Sequence, residues 1–220
     1  MTRKNTVIET LKRLKIKPDN VTQHKDNVFS EIMNSFIYGD IYNQGVLNDE
    51  MRFIINIVVL VTIQEITHCK NEVINALNYG IDPNKIREAV YQCAPFIGYP
   101  KTESALNTIN GIFKDKNIIL ESSESISEND RFQKGKEIQN PIYGDRIIDS
   151  LKSLPKEQAT KIPKFLTENC FGDYYTRYFL SINEREIIIL CMFGALGGCE
   201  LQIRSHTVGN IKIGNTKEYI

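Results

Sequence analysis

The sequence predicts an all-α protein built from two tandem helical units, and three observations predict it. The chain repeats itself: residues 38–55 read YGDIYNQGVLNDEMRFII and residues 171–188 read FGDYYTRYFLSINEREII. Seven of these 18 positions are identical at a constant offset of 133: Gly39/Gly172, Asp40/Asp173, Tyr42/Tyr175, Leu47/Leu180, Arg52/Arg185, Ile54/Ile187 and Ile55/Ile188. An internal repeat outranks local propensity, because misreading it misreads the architecture. Successive segments also carry apolar residues at helical spacing between cap signals. Finally, the Ile- and Val-rich run after the first motif is longer than the usual four to eight residues of a strand, which favours a helix.

In order, Thr6–Leu14 places Val7, Ile8, Leu11 and Leu14 at helical spacing. Asp26 is an N-cap for a second helix carrying Val28, Phe29, Ile32, Met33 and Phe36. The YGD motif reads as a turn punctuated by Gly39. Asn48 or Asp49 caps a long buried helix, Glu50–Ile66, and a third helix, His68–Asn78, stops at Gly80. Asp82 and Pro83 open the next helix, which ends before Pro95. Pro100 precedes an amphipathic helix over Ala105–Phe113. The polar stretch 114–130 supplies a linker. It divides a first unit (1–116) from a second (131–220), with 117–130 between them. The second unit reads as helices over Arg131–Ile138 and Asp145–Leu154, punctuation at Pro155 and Pro163, the FGD turn, and helices over Glu184–Leu196 and Glu200–Ile213. With one residue inserted, Gly214 matches Gly80 and Ile220 matches Ile86. No counterpart of Arg87–Phe113 follows. The expectation is a truncated product, or apolar faces that a partner subunit covers.

At 220 residues the chain is long enough to bury a sizeable core. Basic and acidic residues balance at 27 each, which gives no electrostatic case for nucleic acid or an anionic membrane. The apolar run Phe53–Ile63 is about half the roughly 20 residues a membrane span needs, and the N-terminus lacks the apolar core of a signal peptide. Five cysteines without an export signal read as reduced thiols in a cytoplasm. None of them forms a Cys-x-x-Cys pair or has zinc-ligand spacing, so no metal or cofactor is expected.

The stretches ALNYGIDPNKIREAVYQCAPFIGYPKTESALN (76–107), FGDYYTR (171–177), NERE (183–186) and ALGGCELQIRSHTVGNIKIGNTKE (195–218) resemble the carboxymuconolactone decarboxylase-like family, which shares its fold with alkylhydroperoxidase D. The resemblance covers most of the chain, in a tandem arrangement with an incomplete second unit. It implies an all-helical fold, assembly into rings or trimers, and a small-molecule substrate. It does not fix one activity, since members include a cofactor-free lactone-acid decarboxylase and thiol-dependent peroxidases.

The peroxidase branch carries a Glu followed by Cys-x-x-Cys-x-x-x-His, and a thiolate needs a base to relay its proton. Here Cys199 stands at the first cysteine position, Gln202 at the second and His206 at the histidine, with Glu186 13 residues before Cys199. Gln202 excludes an intramolecular dithiol cycle at this site. The decarboxylase branch keeps a Glu-to-His spacing like Glu200…His206. Six residues make about 1.7 helical turns, which places Glu200 at the helix entrance rather than on the face of His206. Histidine, which titrates near neutrality, is the natural proton donor to a carbanion after carbon dioxide leaves. Arg177, Arg185 and Arg204 are candidate clamps for an acidic substrate, or ordinary surface charges. Glu186 equally reads as a partner for Arg185 or a surface lysine.

The first copy offers Phe53 opposite Glu186, Glu65 opposite Cys199 and Glu72 opposite His206, and reads as structurally faithful but chemically degenerate. Its adjacent His68 and Cys69 project about 100° apart, too far to pair. Three functions stay open: cofactor-free acid/base chemistry through Glu200 and His206, a one-cysteine peroxidase using Cys199 with Glu186 and His206, and a non-catalytic helical assembly.

Overall fold

A computed structural model of the chain describes residues 2–17, 26–122, 126–144, 146, 149 and 151–220. Every regular element among them is helical, so the all-α reading holds. The helices are α1 (Arg3–Arg13), α2 (Asn27–Asn34), α3 (Asp49–Thr62), α4 (Ile66–Tyr79), α5 (Pro83–Tyr91), α6 (Ala94–Ile97) and α7 (Tyr99–Asp115). They continue with α8 (Arg131–Tyr143), α9 (Lys156–Phe165), α10 (Ile182–Leu196) and α11 (Glu200–Lys212). The helix expected over Asp145–Leu154 falls partly outside the described residues. No described helix is long and apolar enough to cross a membrane.

Side-chain capping explains five of the eleven described starts, α1 through Thr2 among them. The side chains of Asp26, Asn48, Asp82 and Ser181 accept backbone N–H bonds at the heads of α2, α3, α5 and α10. At α10, Glu184 returns a bond to Ser181 and completes a capping box. Gly80 ends α4 at a φ of 114°, in the left-handed region that favours glycine.

Neither the YGD nor the FGD motif is a turn, which corrects the sequence reading. The chain runs without a break from α2 into a π-helical segment at Ser35–Asp40, and from α9 into another at Leu166–Tyr175. Gly39 and Gly172 are small because a helix crosses them. A Cβ on Gly39 would lie 3.1 Å from Arg3 Cγ, and one on Gly172 would lie 2.6 Å from Arg131 O. Gly135 on α8 meets the second π segment more closely still, 2.3 Å from Thr167 O.

Several contacts recur in the two halves. Asp40 and its counterpart Asp173, at the 133-residue offset, pair with Arg3 and Arg131, which lie 128 residues apart. Arg52 donates to Gln44 O and stacks 5.6 Å over Tyr42, while Arg185 donates to Arg177 O and stacks 5.9 Å over Tyr175. Asn48 and Ser181 cap equivalent helices.

The core sits where α3 and α10 pack together. The former buries Phe53, Ile54, Ile57, Val58 and Val61, the latter Ile187, Ile188, Ile189 and Met192. Each such side chain contributes roughly 1.5–3 kcal/mol. Around them, α4, α5 and α7 pack on the α3 side and α8 and α11 on the α10 side. After α7, Ile118 and Leu120 pack against the core, and Glu121 N–H donates to Asn84, so the start of the linker is held. Apolar residues stay exposed at Val28, Phe29, Ile32 and Phe36 on one side and at Leu201, Val208 and Ile211 of α11 on the other.

Candidate functional site

Two consecutive charged residues of α10, Arg185 and Glu186, are both wholly buried. Charges are almost never buried without partners. Successive helical residues project about 100° apart, and these two serve different clusters instead of pairing with each other.

Arg185 faces the first half of the chain. Its guanidinium donates to Gln92 Oε1 at 2.7 Å and lies 3.4 Å from the fully buried Glu88 carboxylate. Arg177 joins the same carboxylate at 2.6 Å. These arginines therefore clamp an internal carboxylate of α5. The third candidate clamp, Arg204, is exposed on α11 two residues before His206, about 200° round the helix from it.

Glu186 faces the other way. Tyr175 Oη donates to its Oε1 at 2.5 Å, and Tyr143 Oη donates to its Oε2 at 2.8 Å. His206 Nδ1 lies 2.9 Å from Oε2 and 2.7 Å from Tyr143 Oη. Burial, reinforced by the Glu186 carboxylate, pushes both phenols well above the ordinary tyrosine range, so they keep their protons and act as donors. A carboxylate can only accept, and each phenol has one proton to give. Hydrogen-bond accounting therefore assigns the proton to His206 Nδ1, and Nε2 is left with only a 3.4 Å contact to Tyr143 Oη.

The surroundings fix this geometry. Asn210, fully buried one turn beyond His206, donates to the backbone oxygens of Glu186 and His206 at 3.1 and 2.8 Å. Gly209 makes room, because a Cβ there would lie 3.2 Å from Glu186 Oε2 and 3.3 Å from Tyr143 Oη. Phe193 lies 5.0 Å from the imidazole, and Phe96 of α6 stands edge-on to it at 6.2 Å. The first half thus provides one wall of a cluster otherwise built from the second. The His206 side chain keeps 13% exposure.

Of the four sequence candidates, the structure brings Glu186 and His206 together. Cys199 and Glu200 lie at the entrance of α11, after Gly197 and Gly198 turn the chain at φ of 69° and 65°. The Cys199 thiol donates to Gly197 O at 3.3 Å, and Glu200 is exposed. Among the described residues, no hydrogen bond joins either to His206 or Glu186. Tyr143 and Tyr175 escaped the sequence reading as site residues, although Tyr175 was already marked by its repetition at Tyr42.

Part of the chain is similar to 4-carboxymuconolactone decarboxylase. The relative is the Acinetobacter baylyi protein, 22% identical over 93 residues that span 42% of this chain and 69% of the relative. No family model matches. The likeness supports the carboxymuconolactone decarboxylase family as the chain's relationship. Among the described residues, no group of three or more His, Cys, Asp or Glu side chains is placed to hold a metal ion.

The first half carries a polar cluster of its own at the matching place. Phe53 does fill the place of Glu186 with a wholly buried ring. Glu72, however, is tied to Asn56 at 2.9 Å, and Asn56 to Tyr42 Oη at 2.7 Å. His68 pairs with Glu65, and Cys69 is buried and pushed up to about 12 by desolvation, so those two do not combine.

Proposed function

We propose that the protein performs cofactor-free acid/base chemistry, of the decarboxylase type, on a small acidic molecule at Glu186, Tyr143 and His206. The observation that carries this reading is a buried carboxylate accepting from two tyrosines and from the Nδ1 of a partly exposed histidine. The partial likeness to 4-carboxymuconolactone decarboxylase supports it.

In such a reaction the bond from carbon to the departing carboxylate breaks and its electron pair stays on the carbon. Carbon dioxide leaves, and the carbon takes a proton from His206 Nε2–H. The Glu186 carboxylate stabilises the imidazolium before transfer, and solvent returns the proton afterwards. Tyr143 and Tyr175 hold the carboxylate so that no reorganisation is needed at the moment of transfer. We assign Glu200, exposed at the same helix entrance as Cys199, to the outer part of the substrate. A peroxidase role for Cys199 has less support, because its thiol donates to a backbone carbonyl rather than to Glu186 or His206.

We also read the halves as tandem copies of one unit, supported by the recurring Arg–Asp, Arg–carbonyl and Arg–Tyr contacts. Self-association follows from the resemblance and is supported by the apolar residues exposed on α2. The test of function is carbon dioxide release from 4-carboxymuconolactone. His206→Gln should lower the rate at least about 100-fold, the lower range for a lost general acid. An unchanged rate would remove this histidine from the chemistry.

A further inference from the structure

The first half holds an open cavity of about 400 Å³ between the first π segment, α3 and α4. Tyr38, Tyr42, Asn56, Glu72 and Asn75 supply its polar wall. Asn75 is 2% exposed, and its Oδ1 has no hydrogen-bond partner among the described residues. An unsatisfied buried acceptor lining a cavity is costly unless a donor fills the cavity.

The chemistry of the wall narrows the occupant. Asn56 has both amide protons committed, one to Tyr42 Oη and one to Glu72 Oε1. Glu72 forms no ion pair among the described residues, and the one lining imidazole, His68, is turned to Glu65 at 2.7 Å. The wall presents two acceptors, Asn75 Oδ1 and the Glu72 carboxyl, together with the hydroxyls of Tyr38 and Tyr42, which can donate as well as accept, on rings whose centroids lie 5.4 Å apart. Among the described residues no arginine or lysine lines it, although Arg52 stacks 5.6 Å over the Tyr42 ring. To meet Asn75 Oδ1 and Glu72 an occupant must bring N–H or O–H donors, and a positive charge would also offset the burial that raises the Glu72 carboxyl and lie against the Tyr38 ring. Phe36, Val59 and Leu60 offer an apolar surface for the rest of the molecule.

We propose that this cavity is a second binding site, distinct from the Glu186–His206 cluster, for a small organic ammonium with an apolar body. The test uses three probes with one phenyl body and different heads: phenethylamine, 2-phenylethanol and phenylacetate, titrated calorimetrically into the full chain at neutral pH. Phenethylamine should bind saturably, and the other two at least about tenfold more weakly, as expected when a charged hydrogen bond is lost. Glu72→Gln should abolish the preference, while His206→Gln should leave it intact, so this site and the proposed reaction fail separately. Equal binding of all three probes, preference for phenylacetate, or no saturable binding would each overturn the proposal. The comparison of head groups on the native protein needs no variant, so a Glu72→Gln chain that fails to fold leaves the test decisive.

Discussion

Glu88→Gln is the sharpest probe of how the two halves are held together. Glu88 and Arg185 are both 0% exposed, and Arg177 is 12% exposed against the same carboxylate. Burial already lowers the Arg185 guanidinium from its ordinary value, with Glu88 acting against that trend. Arg185 Nε has no partner among the described residues. The amide keeps the shape of Glu88 but strands the guanidinium with Gln92 Oε1 and Arg177 O as its acceptors. Breaking a buried pair by removing one charge costs about 3–5 kcal/mol. At roughly 2–4 °C per kcal/mol for a chain of this size, the melting temperature should fall by roughly 6–20 °C. Urea unfolding followed by far-UV circular dichroism measures the loss directly. Adding Arg185→Leu should restore part of it, because the stranded charge goes. A Glu88→Gln loss below about 1 kcal/mol, the worth of an exposed pair, would refute the reasoning.

Three other outcomes follow. Gly135→Ala drives a methyl to 2.3 Å from Thr167 O and should destabilise by about 1–3 kcal/mol, whereas Gly111→Ala on α7, with nothing within 4 Å, should stabilise by about 0.4–1 kcal/mol; chemical denaturation compares them. Burial raises the Glu72 carboxyl above its ordinary 4.5. A carboxyl raised on folding contributes stability that is complete at acid pH and is lost as pH rises through its folded value. The wild type should therefore lose stability relative to Glu72→Gln above pH 4.5, and parallel stability–pH curves would contradict this. Burial holds the thiols of Cys69 and Cys170 near 12 and that of Cys191 near 11, while Cys199 is partly exposed. Iodoacetamide at pH 8 should label Cys199 first by mass spectrometry, and faster labelling of Cys69 or Cys170 would show that the core opens readily.

Helix starts were legible because capping is local chemistry: Asp26, Asn48 and Asp82 each sit next to the run they cap. The π-helical segments were not, since Tyr-Gly-Asp resembles a turn when read locally. Gly39 and Gly172 are small for a crossing helix that lies far away in the chain. Helix α9 was missed because Pro155 and Pro163 look like breaks; Pro155 precedes the first turn, and Pro163 lies near the end, where the helix widens into the π segment. At the site, Glu186 and His206 were found through spacing that the family resemblance supplied. Tyr143 lies 43 residues from one and 63 from the other, and only the fold brings it to both. Arg177 and Arg185 look like substrate clamps in the sequence because their partner, Glu88, belongs to the other half of the chain.

The central claim is that Glu186 and Tyr143 hold the His206 proton on Nδ1 and leave Nε2 for the reacting carbon. Nitrogen-15 NMR of labelled histidine, followed through a pH titration, reads both ring nitrogens of His206. Nδ1 should stay protonated throughout, and only Nε2 should gain and lose a proton. A neutral form protonated at Nε2, with Nδ1 bare, would contradict it.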